Sequence, residues 1–172
     1  MKKIWFAVAA LACLSLAAFA DDQEPREADD IVGVWETAHE NDDYSRVEIY
    51  EEDGKYYGRI VWLLNPVYPD DAPDGVAGMP VTDFNNPDKE KRDQPILGLR
   101  MLRDFEFKPK DNEWQDGRIY DPEDGKDYRC RLSLPHRDTL DVYGYVKVLF
   151  TKIGRNTTWT RVPDSVWTPG SN

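Results

Sequence analysis

The chain has 172 residues, of which 33 are acidic and 22 basic, giving a formal charge of −11. That length fits one domain, and the acidity opposes binding to nucleic-acid phosphates or to anionic lipid. With 40% hydrophobic and 12% aromatic residues, the chain has the side chains for a packed core, which excludes a wholly disordered protein.

The first predicted element is a targeting segment. Lys2 and Lys3 precede an uncharged apolar run from Ile4 to Phe19, and Ala18-Phe19-Ala20 offers small residues where a signal peptidase needs them. This order predicts a secretory signal peptide over residues 1–20, cleaved after Ala20. A retained anchor is the alternative, but the run is short for a membrane span, which takes roughly 20 apolar residues. Cys13 raises lipidation as a third option; Ala10-Leu11-Ala12 matches the expected pattern poorly, and apolar residues continue beyond the cysteine. Removing the signal leaves Cys130 as the sole cysteine, so no intramolecular disulfide is expected although the compartment permits one. A periplasmic or secreted location follows from this reading, with no stable membrane insertion once the signal is gone.

Residues 21–30 are acidic and read as a loose leader, and residues 164–172 as a loose tail around a domain over 31–163. Inside that domain the dominant period is two, which places alternate side chains on opposite faces of a strand. Strands are expected at 31–37, 44–51, 55–63, 99–108, 113–121, 126–134, 139–148 and 157–162. The sixth and seventh carry the clearest alternation: Tyr128, Cys130, Leu132 and Leu134 fall on one face, as do Leu140, Val142, Gly144 and Val146. Glu52-Asp53-Gly54-Lys55 recurs as Glu123-Asp124-Gly125-Lys126, and Asp-Gly accepts the positive φ of a tight hairpin turn. Asp111-Asn112 is a third turn signal. The predicted fold is therefore all-β, an antiparallel up-and-down barrel of about eight strands, with an open two-sheet sandwich as the alternative. One connection breaks the meander. Residues 64–95 contain six prolines, with one short helical turn expected near Asn86–Arg92. A loop this long is either a lid over a barrel mouth or a segment without a role.

Gly33-Val34-Trp35 at the start and Trp159-Thr160-Arg161 at the end form a pattern similar to lipocalins and their calycin relatives. In those barrels the Trp plugs the closed end and an Arg from the last strand covers it by a cation–π contact. Gly33, Trp35, Trp159 and Arg161 are thus the expected structural residues. A closer resemblance covers most of the chain. Val47-Glu48-Ile49-Tyr50, Gly58-Arg59-Ile60-Val61-Trp62-Leu63, Asp83, Asn86-Pro87-Asp88 with Arg92, Pro95-Ile96-Leu97-Gly98-Leu99 and Asp116-Gly117-Arg118-Ile119-Tyr120-Asp121-Pro122-Glu123-Asp124-Gly125-Lys126 resemble the secreted bacterial family catalogued as domain of unknown function 2147. The resemblance implies a calycin-type barrel and the carriage of a small, largely apolar ligand, and it implies no reaction. Many relatives carry cysteines near positions 57 and 145, where this chain has Tyr57 and Tyr145.

Strict alternation puts Leu99, Met101, Arg103, Phe105 and Phe107 on one face, and Trp114, Asp116, Arg118 and Tyr120 on another. An inward Arg103 needs a carboxylate partner such as Asp116, a bulge that turns it outward, or the acidic head of a fatty-acid-like ligand, because a buried unpaired cation is costly. Bulges near Gly58 and Gly117 would invert the assignment. The expected ligand-binding set is Arg103, Met101, Phe105, Trp114, Asp116, Tyr120 and Tyr128. No metal site and no cofactor are expected: His39 and His136 lie apart, no zinc spacing occurs, and Asp121–Gly125 lacks the acid spacing of a calcium loop. Three functions remain. A binding protein for a small apolar or amphipathic ligand comes first. An envelope hydrolase using paired carboxylates, with Asp83, Asp88, Asp116 and Asp121 as candidates, comes second. A structural or interaction module with a filled barrel comes third.

Overall fold

The structure is a computed structural model, and it describes residues 25–39, 43–72, 75–149 and 151–167. The predicted signal peptide and the far ends of the predicted leader and tail lie outside the described residues.

Eight antiparallel strands follow one another around a closed barrel: β1 Gly33–Glu36, β2 Ser45–Glu52, β3 Lys55–Leu63, β4 Arg100–Lys108, β5 Glu113–Asp121, β6 Lys126–His136, β7 Thr139–Val148 and β8 Thr151–Arg161. The meander closes where Trp35 pairs with Arg161 and Glu36 with Thr160. The expected barrel is therefore the observed one, and the sandwich is not formed. The largest departure is β8, which starts six residues before its expected position.

The repeated tetrapeptide makes two different turns. In the first, Asp53 and Gly54 both take positive φ, 53° and 77°, between the paired Glu52 and Lys55, as a two-residue primed turn requires. In the second, Asp121 pairs with Lys126, and only Gly125 is left-handed, at 67°. There the Asn85 carbonyl packs so closely on Gly125 that any Cβ would collide with it.

One end of the barrel is filled. Ala28–Ile31 forms a 3₁₀ turn that lies across it, and Arg26 is buried with its Nε donating to the Leu134 carbonyl at 3.3 Å. The last part of the predicted loose leader is thus docked. Trp35 and Trp114 are fully buried beneath it, their indole N–H groups donating to the carbonyls of Ile31 and Ala28 at 2.9 Å each. Arg161 lies 4.1 Å from the Trp35 ring centroid and donates to the backbone carbonyls of Asp30, Val32 and Arg137. Gly33 leaves room for that guanidinium, since a Cβ there would stand 2.7 Å from Arg161 Nη1. Phe105, Leu102, Ile49, Val47, Leu132 and Leu140 complete this buried half.

The long loop is folded onto the barrel rather than free. Asp83 is 2% exposed; it accepts from the Tyr120 hydroxyl at 2.7 Å and from Asn86 Nδ2 at 2.6 Å. Arg92 Nε donates to the Asn86 carbonyl, and Asp88 caps the 3₁₀ turn Lys89–Lys91. Those residues are the ones that carried the family resemblance within the loop, and here their work is to fold and anchor it. The single helical turn expected near Asn86–Arg92 is present.

Candidate functional site

The other half of the barrel is hollow. A cavity of about 780 Å³ opens there between the strands and the long loop. The strand residues in its wall include Ile60 and Leu63 on β3, Met101 on β4, Ile119 on β5, Tyr128 on β6, Val142, Gly144 and Val146 on β7, and Ile153, Arg155, Thr157 and Trp159 on β8. The loop contributes Tyr68, Val81, Phe84 and Ile96. The Tyr68 hydroxyl lies 3.1 Å from Thr82 Oγ1 and fixes that part of the lid.

Polar groups gather on one side of the mouth. Asp121 and Asp124 line the cavity with Arg155, and the Arg155 charge acts on the Asp121 carboxyl. Burial raises the Asp121 carboxyl above its ordinary value, with partial relief from the Glu123 backbone N–H, which donates to it at 2.9 Å, and from Arg155. The Tyr128 hydroxyl donates to Asp124, and that hydrogen bond, with some burial, pushes the phenol up to about 12. For Asp124 burial acts upward, but the hydrogen bonds from Tyr128 and Lys126 outweigh it and leave the carboxyl below its usual range. The Tyr120 phenol is likewise raised, chiefly by burial and by Asp83. The result is an apolar and aromatic pocket whose lining also includes Arg155 and the acidic residues Asp43, Asp121, Glu123 and Asp124.

Of the expected ligand-binding residues, Met101, Tyr120 and Tyr128 line this cavity. Arg103 does not. Asp104 takes a left-handed φ of 64°, and the register against β3 jumps from Tyr56–Phe105 to Gly58–Leu102, so a bulge inserts one residue and turns Arg103 outward. It pairs there with Asp127, not with Asp116. Asp116 is corrected for the same reason: its φ is 63°, a matching bulge separates Trp114 from Gly117 on β5, and its carboxylate faces out to Lys108 Nζ at 3.0 Å. Phe105 and Trp114 do face inward but belong to the filled end, where Trp114 meets Tyr56 edge-on at 6.3 Å and Phe107 at 4.9 Å. Gly117 permits the close fit, because a Cβ would run into the Phe105 ring.

Among the described residues, the basic side chain that lines the cavity is Arg155. Alternation carried back from Trp159 through Thr157 reaches Arg155 and Ile153, but Gly154 and Asn156 are poor strand formers and hid the first half of β8 from the sequence reading. Of the four hydrolase candidates, Asp83 is spent on the loop, Asp88 caps its short helix, Asp116 is outside the barrel, and Asp121 alone lines the cavity. Among the described residues no group of three or more His, Cys, Asp or Glu side chains is arranged to hold a metal ion.

The bacterial family described as "Uncharacterized protein conserved in bacteria (DUF2147)" matches residues 33–161, from the first strand to the arginine that closes the barrel. The chain belongs to this family. Among solved structures, a barrel of similar shape is HP1028 from the human pathogen Helicobacter pylori, a protein assigned to the lipocalin family. It shares 23% identity with this chain, covers 78% of it and 84% of its own length, and superposes with a TM-score of 0.61. That likeness is one of fold. No curated protein sequence matches the chain.

Proposed function

We propose that this DUF2147 protein is a periplasmic or secreted binding protein for a small amphipathic molecule, held in the hollow end of the barrel. The observation that carries the reading is the division of the interior. One half is packed solid by Trp35, Trp114 and Phe105, while the other is a cavity of about 780 Å³ walled by apolar and aromatic side chains with charged groups at its lip. Small-molecule sites have this size, roughly 300–1,000 Å³, and this chemistry, with few polar groups fixing an otherwise apolar ligand. The lipocalin-like fold supports the reading, as barrels of this kind commonly enclose one small ligand. Arg155 is the group suited to an anionic head, and the apolar wall to a chain or ring. The predicted signal peptide supports the compartment.

Native mass spectrometry of protein purified gently from its host tests this. The expected result is an added mass of a few hundred daltons, on the scale of a drug-sized ligand, that leaves on mild activation. A Gly144→Phe variant, with its ring directed into the cavity, is expected to lack that mass. Retention of the mass in the variant would place the ligand elsewhere.

A second reading has one observation in its favour: Asp121, with its raised carboxyl, lies in the cavity wall beside Asp124. That pairing is the form an acid–base hydrolase takes. Asp124, however, is committed to Tyr128 and Lys126, and the wall around the pair is that of a binding pocket.

A further inference from the structure

The β7–β8 hairpin ends in a tip that the barrel does not explain. Its sequence is Lys147-Val148-Leu149-Phe150-Thr151-Lys152. Leu149 is 91% exposed and holds a left-handed φ of 53°, a conformation that favours Gly or Asn and not Leu. Val148, Val146 and Ile153 are 47%, 43% and 59% exposed. On the opposite face Lys147 and Lys152 stand directly across from each other, an arrangement that opposes strand pairing. Lys152 leans over the Tyr145 ring at 4.8 Å. The described pairing of β7 with β6 ends at Tyr145, so this tip extends past the paired wall of the barrel. It does so at the cavity mouth, because Val146 and Ile153 line the cavity.

We infer that this hairpin tip docks on a lipid bilayer carrying anionic headgroups. The strained, exposed leucine and its apolar neighbours enter the boundary between headgroups and acyl chains, and the two lysines meet lipid phosphates. A chain with a formal charge of −11 is repelled from such a surface as a whole. The paired lysines make this tip the local exception, and the repulsion of the rest orients the molecule tip-down. Docked in this way, the Val146 and Ile153 strip leads from the bilayer into the cavity. The route extends the binding reading above, whereas the docking itself stands without it.

Flotation of the mature full-length chain with vesicles tests the inference. The vesicles contain phosphatidylethanolamine and phosphatidylglycerol, with phosphatidylcholine alone as the comparison. The wild type is expected to float with the anionic vesicles and to be released by salt. Leu149→Asn suits the positive φ, so it is expected to keep or raise the melting temperature while losing at least about five-fold in bound fraction. The double variant Lys147→Gln, Lys152→Gln is expected to lose the binding to the anionic vesicles, and a double variant that floats like wild type overturns the role of the lysines. Wild type that floats with neither composition overturns the inference, as does Leu149→Asn that floats like wild type. A tip-dependent dimer in analytical ultracentrifugation, without vesicle binding, also overturns it by assigning the tip to a second copy. Probe binding to the cavity in the absence of vesicles is measured separately, so either reading can fail alone.

Discussion

Asp121 illustrates how single groups are set by their surroundings. Its carboxyl is raised by burial, with the Glu123 N–H and Arg155 offsetting part of the effect. A carboxyl raised in the folded state favours folding below its unfolded pKa of about 4, and that advantage is lost as pH rises through the folded pKa. Asp121→Asn is therefore expected to melt higher than wild type near neutral pH, with the gap closing below about pH 4. Thermal melts across pH check this, and a gap independent of pH would contradict burial as its origin. At the closed end, Arg161→Ala uncovers Trp35 and leaves three backbone carbonyls without their donor. The expected loss is about 2–4 kcal/mol in denaturant titration, and Lys at this position is not expected to restore it, as it lacks the planar fork. This contact was legible in the sequence, because Gly33-Val34-Trp35 and Arg161 sit at the two ends of a closed meander. Arg103 was not legible, because nothing in an ordinary run of strand residues marks Asp104 as the one that leaves the ladder.

At the scale of elements, β8 begins six residues before its expected start, whereas β1 to β7 could be read within a residue or two from alternation and Asp-Gly turns, since half-buried strands must present every second side chain to the core. The bulges could not. Asp104 and Asp116 each insert one residue opposite the other's strand, so the β4–β5 ladder keeps an even count while both outer faces change. Gly117 marks a bulge in the sequence, and the structure gives the reason for the glycine: the Phe105 ring occupies the space of a Cβ. Gly117→Ala is expected to cost about 1–3 kcal/mol through overpacking, read as a lower midpoint in urea. The long loop could be recognised from its prolines, but its attachment depends on contacts far apart in sequence. Tyr120→Phe removes the hydroxyl from the buried Asp83 carboxylate and is expected to cost about 2–3 kcal/mol. It is also expected to raise proteolytic cleavage within 64–99, whereas a loop held independently of Asp83 would show no such change.

At the scale of the molecule, the barrel is asymmetric along its axis. The docked 3₁₀ turn, Trp35 and Trp114 fill one end, and the folded loop roofs the other without filling it. A barrel filled throughout by its own side chains is the third function class weighed from sequence, and the cavity argues against it. Gly144 is well placed to show this, because a Cβ there would meet only ordinary contacts, with Ile119 at 3.5 Å and Tyr128 at 4.0 Å, and a larger side chain has the cavity to enter. The most direct test is titration of the mature protein with anilinonaphthalene sulfonate, an apolar probe with an anionic head, followed by fluorescence and calorimetry. The account predicts saturable one-to-one binding, weakened by Arg155→Gln and abolished by Gly144→Phe at unchanged fold. Absence of saturable binding, or binding that Gly144→Phe leaves intact, would contradict a ligand site inside the barrel.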